Sequence, residues 1–271
     1  MDWPGHSSDW SHTQKMREGL APAIREAGVA GIDRPMKIVL LPGLDGTGRL
    51  FAPFIASMPP GYSALGLAYP PAECRSYDEL SHHVAALLPQ DEPYVIVAES
   101  FSGPIAIRLA ANAPPNLLAI VLCASFVQAP GGAMIRTMIR RTGRWLFAIR
   151  PPRWTARFLL AGAGASEALV SAIVEAISSA APSVLSHRLG LAMAVDDRQS
   201  LAASTVPILY LRATRDRLIG FRSGEQIRRC RADVAVVSID GPHLLLQRRP
   251  AEAMNEIDSW LRMRGLVRRG I

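Results

Sequence analysis

The stretch VIVAESFSGPIAIRLAA, residues 95–111, passes from a β-branched apolar run through a serine flanked by small residues into a helix-like pattern. The apolar run is typical of a buried strand, and Ser100 stands where the strand ends and the helix begins. A strand–turn–helix of this kind presents the serine side chain at the carboxyl edge of a sheet and directs the helix N-terminus toward whatever binds there. Ser100 is therefore a candidate nucleophile, and a helix N-cap is the alternative interpretation.

Six short apolar runs are predicted strands, and most of them lack polar alternation, as expected of parallel strands covered on both faces. They are MKIVLLPG (36–43), YSALGLAYP (62–70), PYVIVAES (93–100), LLAIVLCAS (117–125), VPILYLRAT (206–214) and VAVVSIDG (234–241). The helical patterns that accompany them lie around residues 50–57, 77–88, 101–113, 223–230 and 251–264. This alternation predicts an α/β protein with a mostly parallel, doubly wound sheet.

One interval breaks the alternation of strands and helices. Residues 127–204 contain no convincing strand and have a helical pattern interrupted by a glycine pair and a proline pair. We predict that this interval is a helical cap inserted into a core formed by residues 36–126 and 205–271. Residues 1–35 are polar and irregular, and we predict a partly disordered N-terminal extension.

Composition limits the classes of function. A chain of 271 residues, 49% of them hydrophobic, can bury a sizeable core. A net charge of +7 would suit a polyanionic partner, but only Lys15 and Lys37 are lysines among the 30 basic residues. Because the excess is almost entirely arginine, we attribute it to the coding bias of a GC-rich genome and predict no nucleic-acid partner.

Cysteine usage and hydropathy indicate the compartment. Cys74, Cys123 and Cys230 have no C-x-x-C spacing, and their odd number favours free thiols in a reducing environment. The first residues lack the basic and apolar regions of a secretory leader, and no apolar run is long enough to span a membrane. We therefore expect a cytoplasmic protein that does not span a membrane. No metal-binding motif occurs, so neither a metal nor a cofactor is expected.

Two later segments supply partners for Ser100. A serine hydroxyl is a weak nucleophile unless a base removes its proton, and that base needs a third group to fix its tautomer. Asp216, in TRDRLI, follows the fifth predicted strand, and His243, in GPHLLLQ, follows the sixth. Each residue alone could be structural. Together, Ser, Asp and His in this order, each after a separate strand, predict a catalytic triad.

The same chemistry needs an oxyanion hole, because attack on a carbonyl builds a negative charge that N–H donors must stabilise. The backbone N–H of Phe101, directly after the serine, is one predicted donor. The second is the N–H of Leu44, since Pro42-Gly43 ends the first strand in IVLLPGLDGTGRLF (38–51). A phosphate-binding loop is the alternative, but GLDGTG lacks both the P-loop lysine and the G-x-G-x-x-G spacing.

Four motifs together resemble those of the α/β-hydrolase superfamily. They are LPGLDGTG (41–48), AESFSG (98–103), ATRDRLI (213–219) and GPHLL (241–245). The resemblance covers about residues 36–265 and includes the position of the insertion, which in that family is the lid or cap before the strand that bears the aspartate. It implies an α/β-hydrolase fold with Ser100 as nucleophile, Asp216 as orienting acid and His243 as general base.

The sequence departs from the family pattern beside the serine and in the first loop. Ala98 and Ser102 replace glycines, and Pro42-Gly43 replaces the frequent His-Gly. The compact cap resembles those of small carboxylesterases and acyl-thioesterases, including esterases that act on pimeloyl groups attached to acyl carrier protein. The resemblance implies hydrolysis of a small-molecule acyl ester or thioester through an acyl-enzyme. Two alternatives stay open: an acyltransferase with the same acyl-enzyme, and a non-catalytic ligand-binding protein of the same fold.

An arginine-rich segment lies inside the predicted cap. Seven arginines and no acidic residue occur between Arg136 and Arg157. Arg136, Arg140 and Arg144 share one face of a predicted helix, and Arg141 adjoins them. Three interpretations are open: a solvated face, a docking surface for an acidic protein such as acyl carrier protein, and an anionic membrane surface. Glu99, beside the serine, is expected to pack or bond at the turn.

Overall fold

In the part of the chain that the structure describes, six parallel strands form a sheet in the order β2-β1-β3-β4-β5-β6. The computed structural model describes residues 35–70, 76–132, 134, 137, 138 and 152–267. The strands span Met36–Leu41 (β1), Tyr62–Gly66 (β2), Tyr94–Glu99 (β3), Leu117–Cys123 (β4), Ile208–Ala213 (β5) and Ala235–Ile239 (β6). The six predicted strands and the parallel, doubly wound sheet are confirmed.

Both faces of the sheet are covered. Alternate side chains of β3 point to opposite faces, and all of its residues are buried. On one face Ile96 packs in a cluster with Ile105, and on the other Val95 packs in a cluster with Trp260. This cover on both sides explains why the strands are continuous apolar runs in the sequence.

Helices connect the strands. They span Ala52–Ala56 (α1), Tyr77–Leu87 (α2), Gly103–Ala111 (α3), Arg153–Thr155 (α4), Glu167–Ser179 (α5), Pro182–Ala192 (α6), Arg198–Ala203 (α7), Phe221–Cys230 (α8), Leu245–Arg248 (α9) and Pro250–Met263 (α10). The five helices predicted beside the strands are confirmed to within a few residues, whereas the short α9 was not predicted. Ser76 caps α2 by accepting a hydrogen bond from the N–H of Glu79 at 3.1 Å, the first half of a capping box.

Four of these helices, α4 to α7, lie between β4 and β5, where the helical cap is predicted. Helix α4 continues into a π-helical segment, Ala156–Ala161. Among the described residues of 127–204, no strand occurs apart from an isolated bridge. Buried side chains of α5 pack with Leu244, whose N–H donates to the carbonyl of Leu160 at 3.1 Å. We call the segment of α4 to α7 the cap, and it is bonded directly to the loop that follows β6.

The strand order brings two loops to one point at the carboxyl edge of the sheet. Strand β1 lies between β2 and β3, so the chain turns to opposite sides after β1 and after β3. Leu41 pairs with Ala98 in the register of these two strands. The loop that begins at Pro42 and the turn at Ser100 therefore start side by side. Open α/β sheets bind ligands in the crevice at such a switch point.

Some predictions fall on residues that the structure does not describe. The predicted N-terminal extension lies outside the described residues except for Pro35, and so does Cys74.

Cys123 and Cys230 are free thiols. Within the described ranges, no single helix is long and apolar enough to cross a membrane, and α5 and α6 meet that test only as a pair bent by 96°.

Candidate active site

Ser100 occupies a strained turn between β3 and α3. Its φ of 51° lies in the left-handed region, which is uncommon for a residue with a side chain. A single 3₁₀ turn, Ser100–Ser102, separates the strand from the helix. The carbonyl of Ser100 accepts a hydrogen bond from Ser125 Oγ at 2.5 Å. The turn therefore lifts the hydroxyl of Ser100 away from the backbone at the carboxyl edge of the sheet.

The tight turn requires small residues around the serine. Ala98 is fully buried within the sheet. A Cβ atom on Gly103 would lie 1.9 Å from Ser125 Oγ, so no larger residue fits there without displacing Ser125. Ser102, at the position of the second glycine of a G-x-S-x-G pattern, is fully buried and bonds the carbonyl of Pro42.

The structure brings Ser100, His243 and Asp216 together in one chain of hydrogen bonds. His243 Nε2 lies 2.8 Å from Ser100 Oγ, and His243 Nδ1 lies 2.7 Å from Asp216 Oδ2. The second carboxylate oxygen, Asp216 Oδ1, accepts hydrogen bonds from the N–H groups of Leu218 and Ile219, both at 2.8 Å. Because Nδ1 donates to a carboxylate, Nε2 is free to accept the proton of Ser100, which is the arrangement that activates a serine hydroxyl.

The charges around His243 favour its protonated form. Burial of His243 disfavours the imidazolium, but the negative charges of Asp216 and Glu99 outweigh burial and raise the pKa of His243 above its ordinary value. Both side chains of the His243–Asp216 pair are almost completely buried, at 4% and 2% exposure. The pair therefore stabilises the imidazolium that forms when the histidine takes up a proton.

Glu99 is a second carboxyl group at the site. Burial raises the pKa of Glu99 to about 7, and the charge of His243 acts in the opposite direction. Glu99 Oε2 accepts a hydrogen bond from Gln247 Nε2 at 3.2 Å, and Oε1 has no hydrogen-bond partner among the described residues. The expectation that Glu99 bonds at the turn is therefore confirmed for one of its two oxygens.

A largely apolar cavity of about 550 Å³ opens above Ser100 and His243. Its walls come both from the core and from the cap. The cap contributes aliphatic side chains, namely Leu159, Leu160, Ile173, Ile177, Leu185, Leu189 and Met193. This lining suits an apolar group of a small molecule, and Glu99, Ser100 and His243 line the same cavity.

The two predicted oxyanion-hole residues, Leu44 and Phe101, both line this cavity. The carbonyl of Gly43 accepts a hydrogen bond from the N–H of Gly46 at 3.1 Å. Since C=O and N–H point in opposite directions across a trans peptide, this bond turns the N–H of Leu44 away from the loop. No described group accepts a hydrogen bond from that N–H.

The predicted carrier-binding arginines, Arg136, Arg140, Arg141 and Arg144, lie outside the described residues. Two later arginines of the same segment are described. Arg153 lies 2.7 Å from Glu167, and Arg157 is also paired with Glu167. Part of the positive charge of the segment is thus balanced by α5.

Sequence reasoning missed several residues that build the site. Arg188 of α6, Tyr69 and Ser125 bond the backbone or side chains of the two site loops, and Gln247 bonds Glu99. The only signal in the sequence was the replacement of a glycine by Ser102. A polar residue in a position that normally needs to be small indicates a buried bonding role.

Comparisons with family models and with curated proteins give no match. Solved structures do match. An esterase from Exiguobacterium antarcticum has a TM-score of 0.73 at 15% identity, covering 85% of this chain and 93% of that chain. A bromoperoxidase from Bacillus anthracis has a TM-score of 0.72 at 17% identity, covering 84% and 92%. An enol-lactonase from Burkholderia xenovorans LB400 has a TM-score of 0.68 at 17% identity, covering 84% and 92%.

At these identities the likeness defines the fold. The chain has the α/β-hydrolase fold, so the predicted fold class is confirmed, and the resemblance is confirmed at the level of the fold. The matched structures are named for several different activities, so the chemistry of this chain has to be argued from its own site.

Proposed function

We propose that the protein is a serine hydrolase that cleaves an ester or thioester of an apolar carboxylic acid through an acyl-enzyme. One observation carries the proposal. Ser100 Oγ, His243 and Asp216 form a hydrogen-bonded chain, and Ser100 and His243 line a largely apolar cavity of about 550 Å³. A non-catalytic binding protein would have no need of a strained serine aligned with a buried histidine and carboxylate.

The reaction uses the site residues in two half-reactions. Ser100 Oγ attacks the carbonyl carbon while its proton passes to His243 Nε2, and the N–H groups of Leu44 and Phe101 stabilise the oxyanion. The bond to the leaving oxygen or sulfur then breaks, and His243 gives its proton to the leaving group. Water attacks the acyl-enzyme and gives a proton to His243. The bond between the acyl carbon and Ser100 Oγ then breaks, His243 returns the proton to Ser100 Oγ, and the free acid leaves.

The lining of the cavity indicates the acyl group. Aliphatic side chains from the cap line the same cavity as Ser100. An unbranched or weakly branched aliphatic acyl chain buries its surface there without leaving a polar atom unpaired. The leaving group points toward the mouth of the cavity in this proposal.

The carrier of the acyl group forms a second part of the proposal. The arginines at positions 136, 140, 141 and 144 attract an acidic protein such as acyl carrier protein. Replacing Arg140, Arg141 and Arg144 together by alanine should lower kcat/KM for a carrier-linked substrate about 10-fold, at about 0.5 kcal/mol per contact. A small neutral ester is the matched substrate, and an equal response of both would refute carrier binding.

Labelling tests the proposed reaction. A fluorophosphonate should add one equivalent to the wild-type protein, found at Ser100 by peptide mass spectrometry, and a p-nitrophenyl ester should be turned over. Ser100→Ala should lose both. Ser238→Ala, which changes an exposed serine on β6, should lose neither. A protein that neither labels nor turns over any ester or thioester would be a binding protein, and the proposal would be wrong.

A further inference from the structure

A guanidinium group from the cap reaches the loop that follows β1. Arg188 lies on α6, and it is only 4% exposed. Its Nη1 donates to the carbonyl oxygens of Leu44 at 3.1 Å and Asp45 at 2.8 Å, and its Nη2 donates to the carbonyl of Pro70 at 3.1 Å. The guanidinium carbon also lies 5.5 Å from the centroid of the Tyr69 ring. Three backbone carbonyls of the core are therefore held by one side chain of the cap.

The loop is shaped to receive this guanidinium. Gly46 has a φ of 71°, and a Cβ atom there would lie 2.2 Å from Arg188 Nη1. The same glycine donates its N–H to Gly43, the bond that turns the N–H of Leu44 away from the loop. Arg188 and the glycine turn thus fix consecutive peptide units on both sides of Leu44.

A second set of bonds ties this loop to the serine turn. Ser102 is fully buried, and its hydroxyl donates to the carbonyl of Pro42. Because that proton is already used, the hydroxyl of Tyr69 donates to Ser102 Oγ. Ser102 directly follows Phe101, whose N–H is the other proposed oxyanion donor. The loop after β1 and the turn after β3 are therefore joined through Ser102, and Tyr69 links Ser102 to Arg188.

We propose that Arg188, Ser102 and Tyr69 are positioning residues that set the N–H of Leu44 opposite the N–H of Phe101. The inference rests on the proposed function, because the two N–H groups matter only if an oxyanion forms between them. It adds that a side chain of the cap holds the peptide unit beside one donor of the oxyanion hole, because Arg188 lies on α6 and bonds the carbonyl of Leu44.

The test compares the transition state with the ground state. Arg188→Met keeps the length of the side chain and removes its donors. The expected result is a kcat lower by about 10²- to 10³-fold with KM changed less than about threefold, the effect of losing one oxyanion donor. An acyl trifluoromethyl ketone forms a tetrahedral adduct with the serine, so Arg188→Met should bind it more weakly by a factor similar to the fall in kcat. The corresponding secondary alcohol forms no such adduct, and its affinity should not change.

Two milder variants and one control keep the test decisive. Ser102→Ala and Tyr69→Phe should each lower kcat about 10-fold with the same selective loss of ketone affinity, and they decide the question if Arg188→Met fails to fold. Arg231→Met is the matched control, because Arg231 also bonds a backbone carbonyl, that of Val206, at 2.8 Å away from the site. It should change thermal stability and leave kcat unchanged.

The outcomes separate this inference from the proposed function. Equal losses of affinity for the ketone and the alcohol, or an unchanged kcat in folded variants, would overturn the positioning role while the wild-type enzyme stays active. A wild-type protein that neither labels nor turns over would refute the proposed function, and the positioning role with it.

Discussion

Replacing Asp216 by asparagine should impair the enzyme more than its small change in shape suggests. Asp216 Oδ1 accepts two N–H groups, and Oδ2 accepts His243 Nδ1. An asparagine has only one oxygen. If that oxygen keeps the two N–H bonds, the amide NH₂ faces Nδ1, which must then accept, and the imidazole proton moves to Nε2. In that tautomer the histidine cannot take the proton of Ser100.

The structure bounds the size of this effect. Turning the amide the other way would leave the N–H groups of Leu218 and Ile219 without their acceptor. Ile219 is buried and Leu218 is exposed, so we assign about 2–4 kcal/mol to the two losses together. At about 1.4 kcal/mol per factor of ten, the productive tautomer is populated about 30- to 700-fold less. Loss of the carboxylate charge, which stabilises the imidazolium, brings the expected fall in kcat to about 10³- to 10⁴-fold.

The assay is kcat/KM for a p-nitrophenyl ester, with thermal unfolding to show that the variants are folded. Asp216→Ala is the decisive comparison, because it removes the carboxylate without imposing a tautomer, and it should be no less active than Asp216→Asn. Asp240→Asn is the control, since Asp240 is an exposed aspartate after β6 that pairs with Arg215. If Asp216→Asn is clearly more active than Asp216→Ala, the tautomer argument is wrong.

Four further predictions follow from the site. Because neutral His243 is the proposed base and its pKa is raised, kcat/KM should fall at acid pH with a midpoint above the ordinary histidine value of 6.5. Glu99→Gln should move that midpoint down, and a midpoint that stays fixed would contradict the role of Glu99. Burial raises the pKa of Glu99 from 4.5 to about 7, so the folded state keeps a proton that the unfolded state releases, and stability falls between those pH values. Glu99→Gln should therefore raise the free energy of unfolding by about 1–3 kcal/mol at pH 8 and not at pH 4 in urea titrations. Each methylene added to the acyl chain of an ester series should raise kcat/KM about fourfold, because burying one methylene contributes about 0.8 kcal/mol. The rise should stop when the 550 Å³ cavity is full, and a series with no rise would contradict the assignment of the cavity to the acyl group. Gly103→Ala should destabilise the fold by about 1–3 kcal/mol through its clash with Ser125, whereas Gly190→Ala, which meets nothing within 4 Å, should be neutral or stabilising in thermal unfolding.

The sheet could be predicted from the sequence because its strands are buried on both faces. Such strands are continuous apolar runs, and the carboxyl edge of a parallel sheet collects whatever follows them. Ser100 directly follows β3, and Asp216 and His243 come shortly after the ends of β5 and β6, so their positions in the sequence predict that they lie at one edge. Short turns at that edge bring the three side chains within hydrogen-bond distance.

The bonds that reach the site from the cap could not be predicted in this way. Arg188 is 144 residues distant from Leu44 in the chain, and it reaches the loop only because α6 packs over it. Nothing in the periodicity of α6 distinguishes a buried arginine from the many solvated ones in an arginine-rich chain. In the sequence Ser102 is only a departure from the glycine pattern, and its hydrogen bonds to Pro42 and Tyr69 require the folded loops.

The backbone conformation of Ser100 lowers the stability of the fold. A φ of 51° costs a residue with a Cβ atom about 1–2 kcal/mol, and a glycine would adopt it freely. Glycine at position 100 would relieve this strain but would remove the hydroxyl that lies 2.8 Å from His243 Nε2. On the proposed function, the chain therefore gives up stability at this position to keep its nucleophile.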